Sequence, residues 1–404
     1  MPVWHRATRQ WVKEGRLALL GVIQEQHADR CRLYAQWRQL DLPILHDPAN
    51  LIGVEGAPIL VAIDERGIVR VVRPDLGTFE KDFLDKTFEA EEPLEESRGG
   101  AREAPKPAKI DLKALKKAAR KEDTAAAWRA LGDALATWGG AARAPDAIAA
   151  YKRAIEREPS TADSLFRLGV CHRMRYESPA REAGDFQQAV DCWGKALALN
   201  PNQYIWRRRI QQYGPRLDKP YAFYDWVDEA RAEITARGEE PLPLLVEPRG
   251  TELAGPTKAF PAAPGPEVPP DPKGAIHRDT SRLIQIDAAV APGRVKPGEA
   301  ARVHVSFHPD AARQVYWNNE AEPLRLWVDP PEGWRVEGRL LAAPQGGRAE
   351  TQETRRLDFE IQAPESALGR ATSQAYALYN VCEGVGGQCL FLRQDAPIEV
   401  EVSE

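Results

Sequence analysis

Cysteine is scarce in this chain. Five in 404 residues are too few for a disulfide framework, and only Cys382 and Cys389 are close in sequence. No C-x-x-C, C-x-x-C-H, H-E-x-x-H or Walker sequence occurs, so haem, zinc-hydrolase and nucleotide readings lack a starting point. No apolar run approaches the roughly 18 residues of a membrane span. The opening MPVWHRATRQWVKEG lacks the apolar core of a signal peptide, so the chain as written is expected to stay in the cytoplasm. Neither sign of charge dominates: a net charge of −5 gives no electrostatic reason to expect nucleic acid or an anionic membrane as partner. What is present is 43% hydrophobic and 28% charged residues, the balance of a globular chain long enough for about two to four domains.

The most informative stretch lies near the end, YALYNVCEGVGGQCLFLRQDAP from Tyr376 to Pro397. Two apolar runs flank a glycine-rich turn, with a cysteine at each shoulder, which predicts a β-hairpin. A loop over 384–387 sets Glu383 opposite Gln388 and Cys382 opposite Cys389, and facing residues of an antiparallel ladder are close enough to bridge. Strand parity places Tyr379 and Val381 on one face with Leu390 and Leu392. The other face carries Cys382, Cys389, Asn380, Phe391 and Arg393. With the aliphatic face in the core, the sulfurs look outward, within reach of a partner's thiolate. A structural staple fits the same residues, and chemistry alone leaves the two readings open.

The Y-A-L-Y-x-V-C run, the second cysteine, and the L-F-x-R-x-D that follows resemble the end of the N-terminal periplasmic domain of the thiol:disulfide interchange protein DsbD family. The resemblance covers residues 281 to 402. It implies an immunoglobulin-like domain whose catalytic Cys382 and Cys389 pass electrons between thioredoxin-like partners. The covering-loop motif of that family is not recognisable; the nearest candidate is the polar loop Tyr316-Trp317-Asn318-Asn319-Glu320, with Tyr316 and Trp317 facing a partner.

At the other end, a helix over 3–14, an apolar run Leu17–Ile23 and a helix from Asp29 as N-cap to about Leu40 begin a βα alternation. Leu33, Trp37 and Leu40 share one face of that helix, with Cys31 off it as a bystander. Pro43-Ile44-Leu45-His46-Asp47-Pro48 follows, then a hairpin over Gly56–Val72 turning at Asp64–Gly67, and a helix over 78–88. This order and these motifs resemble the peroxiredoxin-like and TlpA-like branch of the thioredoxin fold. The resemblance implies a cis bond before Pro58, with Ala57 and Pro58 pairing an extended thiol partner. The C-x-x-C of that family and the strand before it are missing, so the module over 1–89 reads as truncated and unable to do dithiol chemistry. A true start upstream of Met1, supplying that strand and an export signal, is the expectation that reconciles it with an extracytoplasmic family.

Residues 90–109, acidic and then rich in Pro, Gly and Ala, read as a linker. Helical sequence from 110 to 238 contains two units with tetratricopeptide spacing: Trp128-x2-Leu131-Gly132 with Ala147-x3-Tyr151, Ala154 and Pro159, then Leu165-x2-Leu168-Gly169 with Ala189-x3-Trp193, Ala196 and Pro201. They resemble tetratricopeptide repeats and imply a groove for peptide segments. Two units seldom bury enough alone, so helices from Ile110 and Tyr204 are expected as caps. Arg207 and Arg208 stand among aromatics on the second cap as a basic groove wall, and the short run and negative net charge weigh against nucleic acid. Cys171 and Cys192 are core or bystander thiols.

Proline-dense residues 239–280 read as an extended linker. From 281 to 404 the period becomes 2, and the short runs Leu283–Ile286, Ala301–Phe307, Leu324–Val328, Trp334–Leu340, Arg356–Ile361, Tyr376–Val381, Cys389–Leu392 and Ile398–Val402 predict a β-sandwich. His304 and His308 share a strand face but sit about 13 Å apart at strand rise, so no metal site is read there.

The fold class is therefore a multidomain α/β, all-α and all-β chain: truncated thioredoxin-like, tetratricopeptide helical and immunoglobulin-like in turn. Two functions compete. One is a thiol:disulfide oxidoreductase acting on thioredoxin-like or other thiol proteins; the other is a non-catalytic repeat scaffold with a structural disulfide. Neither needs a cofactor.

Overall fold

The computed structural model describes residues 2–88, 110–261, 267–384 and 388–404. The linker expected at 90–109 lies outside them, as does most of the loop over 384–387. The chain divides into two compact units. The first takes residues 1–170, 201–205 and 227–246, and the second takes 171–200, 206–226 and 247–404.

The first unit opens with helix α1 (Pro2–Lys13), strand β1 (Gly21–Ile23), helix α2 (Ala28–Trp37), and strands β2 (Ile44–His46), β3 (Val61–Ile63) and β4 (Val69–Val72), followed by a π-helical turn Glu80–Leu84. β1 pairs with β2 in parallel, and β3 with β4 antiparallel, as two separate two-stranded sheets. Among the described residues no ladder joins β1 to β3. The β3–β4 turn falls where expected: the Asp64 carboxylate accepts the Arg66 and Ile68 N–H groups at 2.9 Å each, and Gly67 supplies φ of 83°. Beneath the hairpin, Ala62, Phe79 and Phe83 form a small core with Trp4 and Trp11 of α1 against it. The opposite face carries Val61, Ile63, Val69 and Val72, exposed at 44%, 51%, 48% and 63%.

Helix α2 differs from expectation at its start. Asp29 does not cap it; the N-cap is His27, without a side-chain cap bond, and Asp29 Oδ2 instead accepts the Leu245 N–H at 2.5 Å. Leu33 and Trp37 are buried as read, and so is Cys31. Gln36 bonds both the Glu240 carbonyl and the Leu242 N–H. The first part of the stretch read as an extended linker is thus tied down, because its carbonyl and amide groups meet side-chain partners on α2.

The helical series runs α3 (Leu112–Glu122), α4 (Ala125–Gly139), α5 (Ala144–Arg157), α6 (Ala162–Tyr176), α7 (Asp185–Leu199), α8 (Tyr204–Tyr213) and α9 (Trp226–Ala236). Asp111 and Thr124 cap α3 and α4 with side-chain bonds to backbone N–H groups. α4 and α5 pack closely because Gly132 has no side chain: a Cβ there would lie 2.8 Å from the Tyr151 ring. Tyr151, fully buried, donates its hydroxyl to Asp133 at 2.8 Å, and Arg167 of α6 holds the same carboxylate at 2.9 and 3.0 Å. In the second unit, Asp185 at the start of α7 is buried and bonded by His172 and Arg175. Ala189, Trp193 and Ala196, the spaced positions of the repeat, are fully buried.

The second unit continues with β5 (Ile284–Ala291), β6 (Arg294–Val295), β7 (Ala300–Pro309), β8 (Val315–Asn318), β9 (Arg325–Asp329), β10 (Arg335–Val336), β11 (Leu340–Ala342), β12 (Glu350–Thr351), β13 (Arg355–Gln362), β14 (Gly369–Glu383), β15 (Gln388–Asp395) and β16 (Ile398–Val402). One sheet is ordered β10-β13-β7-β5. The other is built around β14, which pairs with β9 and β8 on one side and with β15 and β16 on the other. Val303, Phe307, Phe359 and Ile361 of the first sheet meet Trp317, Leu326, Tyr379 and Val381 of the second in one core. The run Trp334–Leu340, read as a single strand, is split: β10 joins one sheet and β11 the other. Residues 267–280, read as linker, belong to this unit. Arg393 pairs with Asp271 at 2.9 Å, the Tyr376 hydroxyl accepts the Asp271 N–H at 3.1 Å, and Ile276 packs on Trp327, Tyr376 and Leu378.

Candidate functional site

The cysteine hairpin has the expected register, with Cys382 facing Cys389, Glu383 facing Gln388, and Val381 facing Leu390. The two sulfurs form a disulfide with Cα atoms 3.9 Å apart. Tyr379 and Val381 are fully buried and Leu392 nearly so, which puts the aliphatic face inward. Tyr379 also donates its hydroxyl to Asp279 at 2.8 Å; burial and that carboxylate push its pKa upward. Near the turn, Arg313 pairs with Glu383 at 2.7 Å and the Gly384 N–H meets the Gln314 carbonyl at 2.9 Å. The shoulder that carries Cys382 is therefore fastened by both backbone and side chain.

The two sulfur-bearing residues are not equivalent. Both share the sheet face opposite the inward Tyr379 and Val381, but Cys389 is exposed while Cys382 retains only 1% of its surface, so a partner's thiolate can reach one of them. The reason is position in the sheet. Cys382 lies on β14, flanked by Tyr316 of β8 on one side and Cys389 of β15 on the other, whereas among the described residues β15 has no second ladder and its other edge is bridged at Arg393, away from Cys389, by residues 277–279. On the same sheet face, Phe391 is 40% exposed and Asn380 bonds the Glu322 carbonyl at 3.1 Å.

Tyr316 and Trp317, expected in a polar covering loop, lie instead in strand β8. Trp317 is fully buried, donating Nε1–H to the Glu353 carbonyl at 2.8 Å with the Arg355 guanidinium over its ring; it has no surface for a partner. Tyr316 is half-buried directly beside Cys382. The V-x-W alternation of Val315 and Trp317, both inward, was the strand signal; the polar Asn318-Asn319-Glu320 that follows hid it.

The residue that sequence reasoning missed is Glu350. Strand β12 places it opposite Asn318 on β8, and its carboxylate comes within 4.8 Å of both sulfurs. Nothing in the spacing from Glu350 to Cys382 reports this, because the neighbourhood is made across three strands.

The remaining candidates lie on other elements. Arg208 lies over the Tyr221 and Phe223 rings at 4.0 and 4.4 Å, and Arg207 is exposed on the same helix. Trp206, Tyr213 and Tyr224 are buried, so much of that aromatic run is core. In the first unit, Ala57 and Pro58 are exposed and the bond between them is cis. Burial, above all, pushes the Cys31 thiol far above its ordinary pKa, which removes it as a nucleophile.

Ser306 and His308, 3.0 Å apart, resemble a nucleophile and base but cannot act as one. His308 Nδ1 faces the Arg181 guanidinium, which only donates. The imidazole proton is then on Nε2, directed at the serine. His304 is likewise occupied, by Asp358 at 2.7 Å and the Tyr213 carbonyl at 2.8 Å.

Residues 139–175 match the tetratricopeptide repeat family, a match that takes in α5 and nearly all of α6. A repeat of this kind fits a protein-interaction scaffold. No curated protein matches the chain. Among solved structures, AvmM, which catalyses macrocyclisation in alchivemycin A biosynthesis, is 12% identical over 32% of this chain and 96% of its own, with a TM-score of 0.18. Spo0M, a sporulation control protein from Bacillus subtilis, is 11% identical over 30% of this chain and 50% of its own, at 0.16. The PapD-like domain 7 of human CEP192 is 11% identical over 37% of this chain and 100% of its own, at 0.14. Scores this low carry no argument about fold or activity. Among the described residues, no helix is long and apolar enough to cross a membrane.

Proposed function

We propose that the chain exchanges disulfides with thioredoxin-like or other dithiol proteins through Cys382 and Cys389, and that its helical repeats dock the partner. The observation that carries this reading is the asymmetry of the pair: an exposed sulfur-bearing residue on an outer strand bridged to a buried one on an inner strand. A partner thiolate attacks Cys389 Sγ, the S–S bond breaks, and the electron pair leaves on Cys382 Sγ. A mixed disulfide then joins Cys389 to the partner. The partner's second thiol attacks its own sulfur in that bond, releasing reduced Cys389 and an oxidised partner. Two electrons and two protons have moved, and the ladder that holds the pair need not open. The resemblance of the cysteine hairpin to the DsbD family supports the same reading.

Trapping tests it. With the remaining thiol first converted to its thionitrobenzoate disulfide, a Cys382→Ser variant presents Cys389 Sγ to the thiolate of a thioredoxin-like protein that lacks its resolving cysteine; thionitrobenzoate leaves as the adduct forms, and this variant should be captured well. Cys389→Ser, which leaves only the buried sulfur, should be captured poorly. No adduct from either variant would end the proposal. A second reading, a repeat scaffold with a structural staple, is favoured by the burial of Cys382 and by the repeat match. A midpoint potential separates the two: above roughly −250 mV the pair exchanges, and below about −300 mV it is a staple.

A further inference from the structure

We propose that the reduced pair, together with Glu350, is a binding site for a thiophilic divalent cation, with zinc(II) as the type. It rests on the proposed exchange only in needing a pair that can be reduced. Three ligand atoms converge here: the two sulfurs and a carboxylate oxygen of Glu350, all within 4.8 Å of one another. Among the described residues, no other three His, Cys, Asp or Glu side chains bring ligand atoms so close together.

The frame is set by the sheet. Glu350, Tyr316, Cys382 and Cys389 lie on four neighbouring strands, β12, β8, β14 and β15, joined by continuous ladders. Tetrahedral zinc, with bonds of about 2.3 Å to sulfur and about 2.1 Å to oxygen, holds its ligand atoms about 3.5–3.8 Å apart. The sulfurs reach that spacing by side-chain rotation once their bond is broken, and the Glu350 carboxylate, already within 4.8 Å of both, closes the remainder through its own torsions.

Donor chemistry selects the ion. Two thiolates and one carboxylate suit a borderline-soft cation and are too few and too soft for magnesium or calcium. All three groups are anionic when ionised. Their convergence is unfavourable without a cation, and a cation removes the repulsion. Three protein ligands leave a fourth position, which can take water or a partner's donor.

Loading follows reduction. A reducing dithiol converts the disulfide to two thiols and is itself oxidised to a disulfide; zinc then displaces the two thiol protons. The oxidised pair has no thiolate to offer. A bound cation occupies both sulfurs, so it also holds the pair out of exchange until it is removed.

The test uses the full chain, reduced and freed of reductant under anaerobic conditions, titrated with zinc(II) against a chromophoric chelator and with cobalt(II) as a spectroscopic probe. One tight equivalent is expected for the reduced chain and none for the oxidised chain. Thiolate-to-cobalt charge transfer should disappear in the Cys382→Ser/Cys389→Ser double variant, and Glu350→Ala should weaken binding about tenfold or more. Equal binding by the oxidised chain or by the double variant, which would mark Cys31, Cys171 or Cys192 as the ligands, overturns the site. So does undiminished affinity in Glu350→Ala. A chain that forms the mixed disulfide yet binds no zinc refutes this inference and leaves the exchange reading standing.

Discussion

His308 is buried between Ser306 and Thr354, with Arg181 against it. Burial first, then the charges of Arg181 and Arg356, push its pKa down to about 3. An unfolded histidine takes a proton below about pH 6.5, so between that value and about 3 the unfolded state carries the extra proton. The stabilising contribution is therefore complete above pH 6.5 and is lost as pH falls through the window, by at most about 1.4 kcal/mol per pH unit. Urea midpoints at pH 7 and pH 4.5 should fall less in His308→Gln than in the parent chain. Equal slopes would show that another group governs acid sensitivity. The same principle of surroundings over identity separates Cys382 from Cys389. Both are cysteines at the shoulders of one turn, yet only one is open to a partner, because Cys382 has a ladder partner on both sides, Tyr316 and Cys389.

Among the elements, the α4–α5 pair depends on the missing side chain of Gly132. Gly132→Ala forces a methyl to 2.8 Å from the Tyr151 ring and should cost about 1–3 kcal/mol. Gly194, in α7, meets nothing within 4 Å, so Gly194→Ala should stabilise by about 0.5–1 kcal/mol through helix propensity alone. Thermal unfolding of the two variants checks the pair of opposite signs. In the β3–β4 hairpin the two faces differ sharply, and a register shift between Ala62 and Ile63 keeps Val69 and Val72 on the same face. Ile63→Lys, on the exposed face, should change stability by no more than about 0.5 kcal/mol, while Phe83→Ala beneath it should cost about 3–5 kcal/mol. Comparable losses in denaturant unfolding would mean that the exposed face is covered. The repeat helices were legible because Ala147, Tyr151 and Ala154 recur at the same spacing as Ala189, Trp193 and Ala196, all of them buried. Strand β8 was not, because its four residues are too short to show a period against the polar stretch that follows.

For the whole molecule, two compact units with their own cores predict more than one unfolding transition. The bridge closes a short loop, with a sequence separation of 7. Reducing it should cost about 2–3 kcal/mol in the transition that releases the β-rich region. Urea unfolding followed by tryptophan fluorescence, with and without reductant, measures that shift; an unchanged midpoint would remove the disulfide from the stability of this unit. Local pattern alone dictated the hairpin register, the inward aliphatic face, the spaced positions of the repeats and the Asp64–Gly67 turn, because each depends on residues close in sequence whose period or turn chemistry admits one arrangement. Other features waited on tertiary structure: the burial of Cys382, the arrival of Glu350 beside it, and the attachment of residues 267–280 to the sheet. These depend on which strands become neighbours. That choice is made by hydrophobic burial across the whole core, which rewards apolar area without regard to distance along the chain.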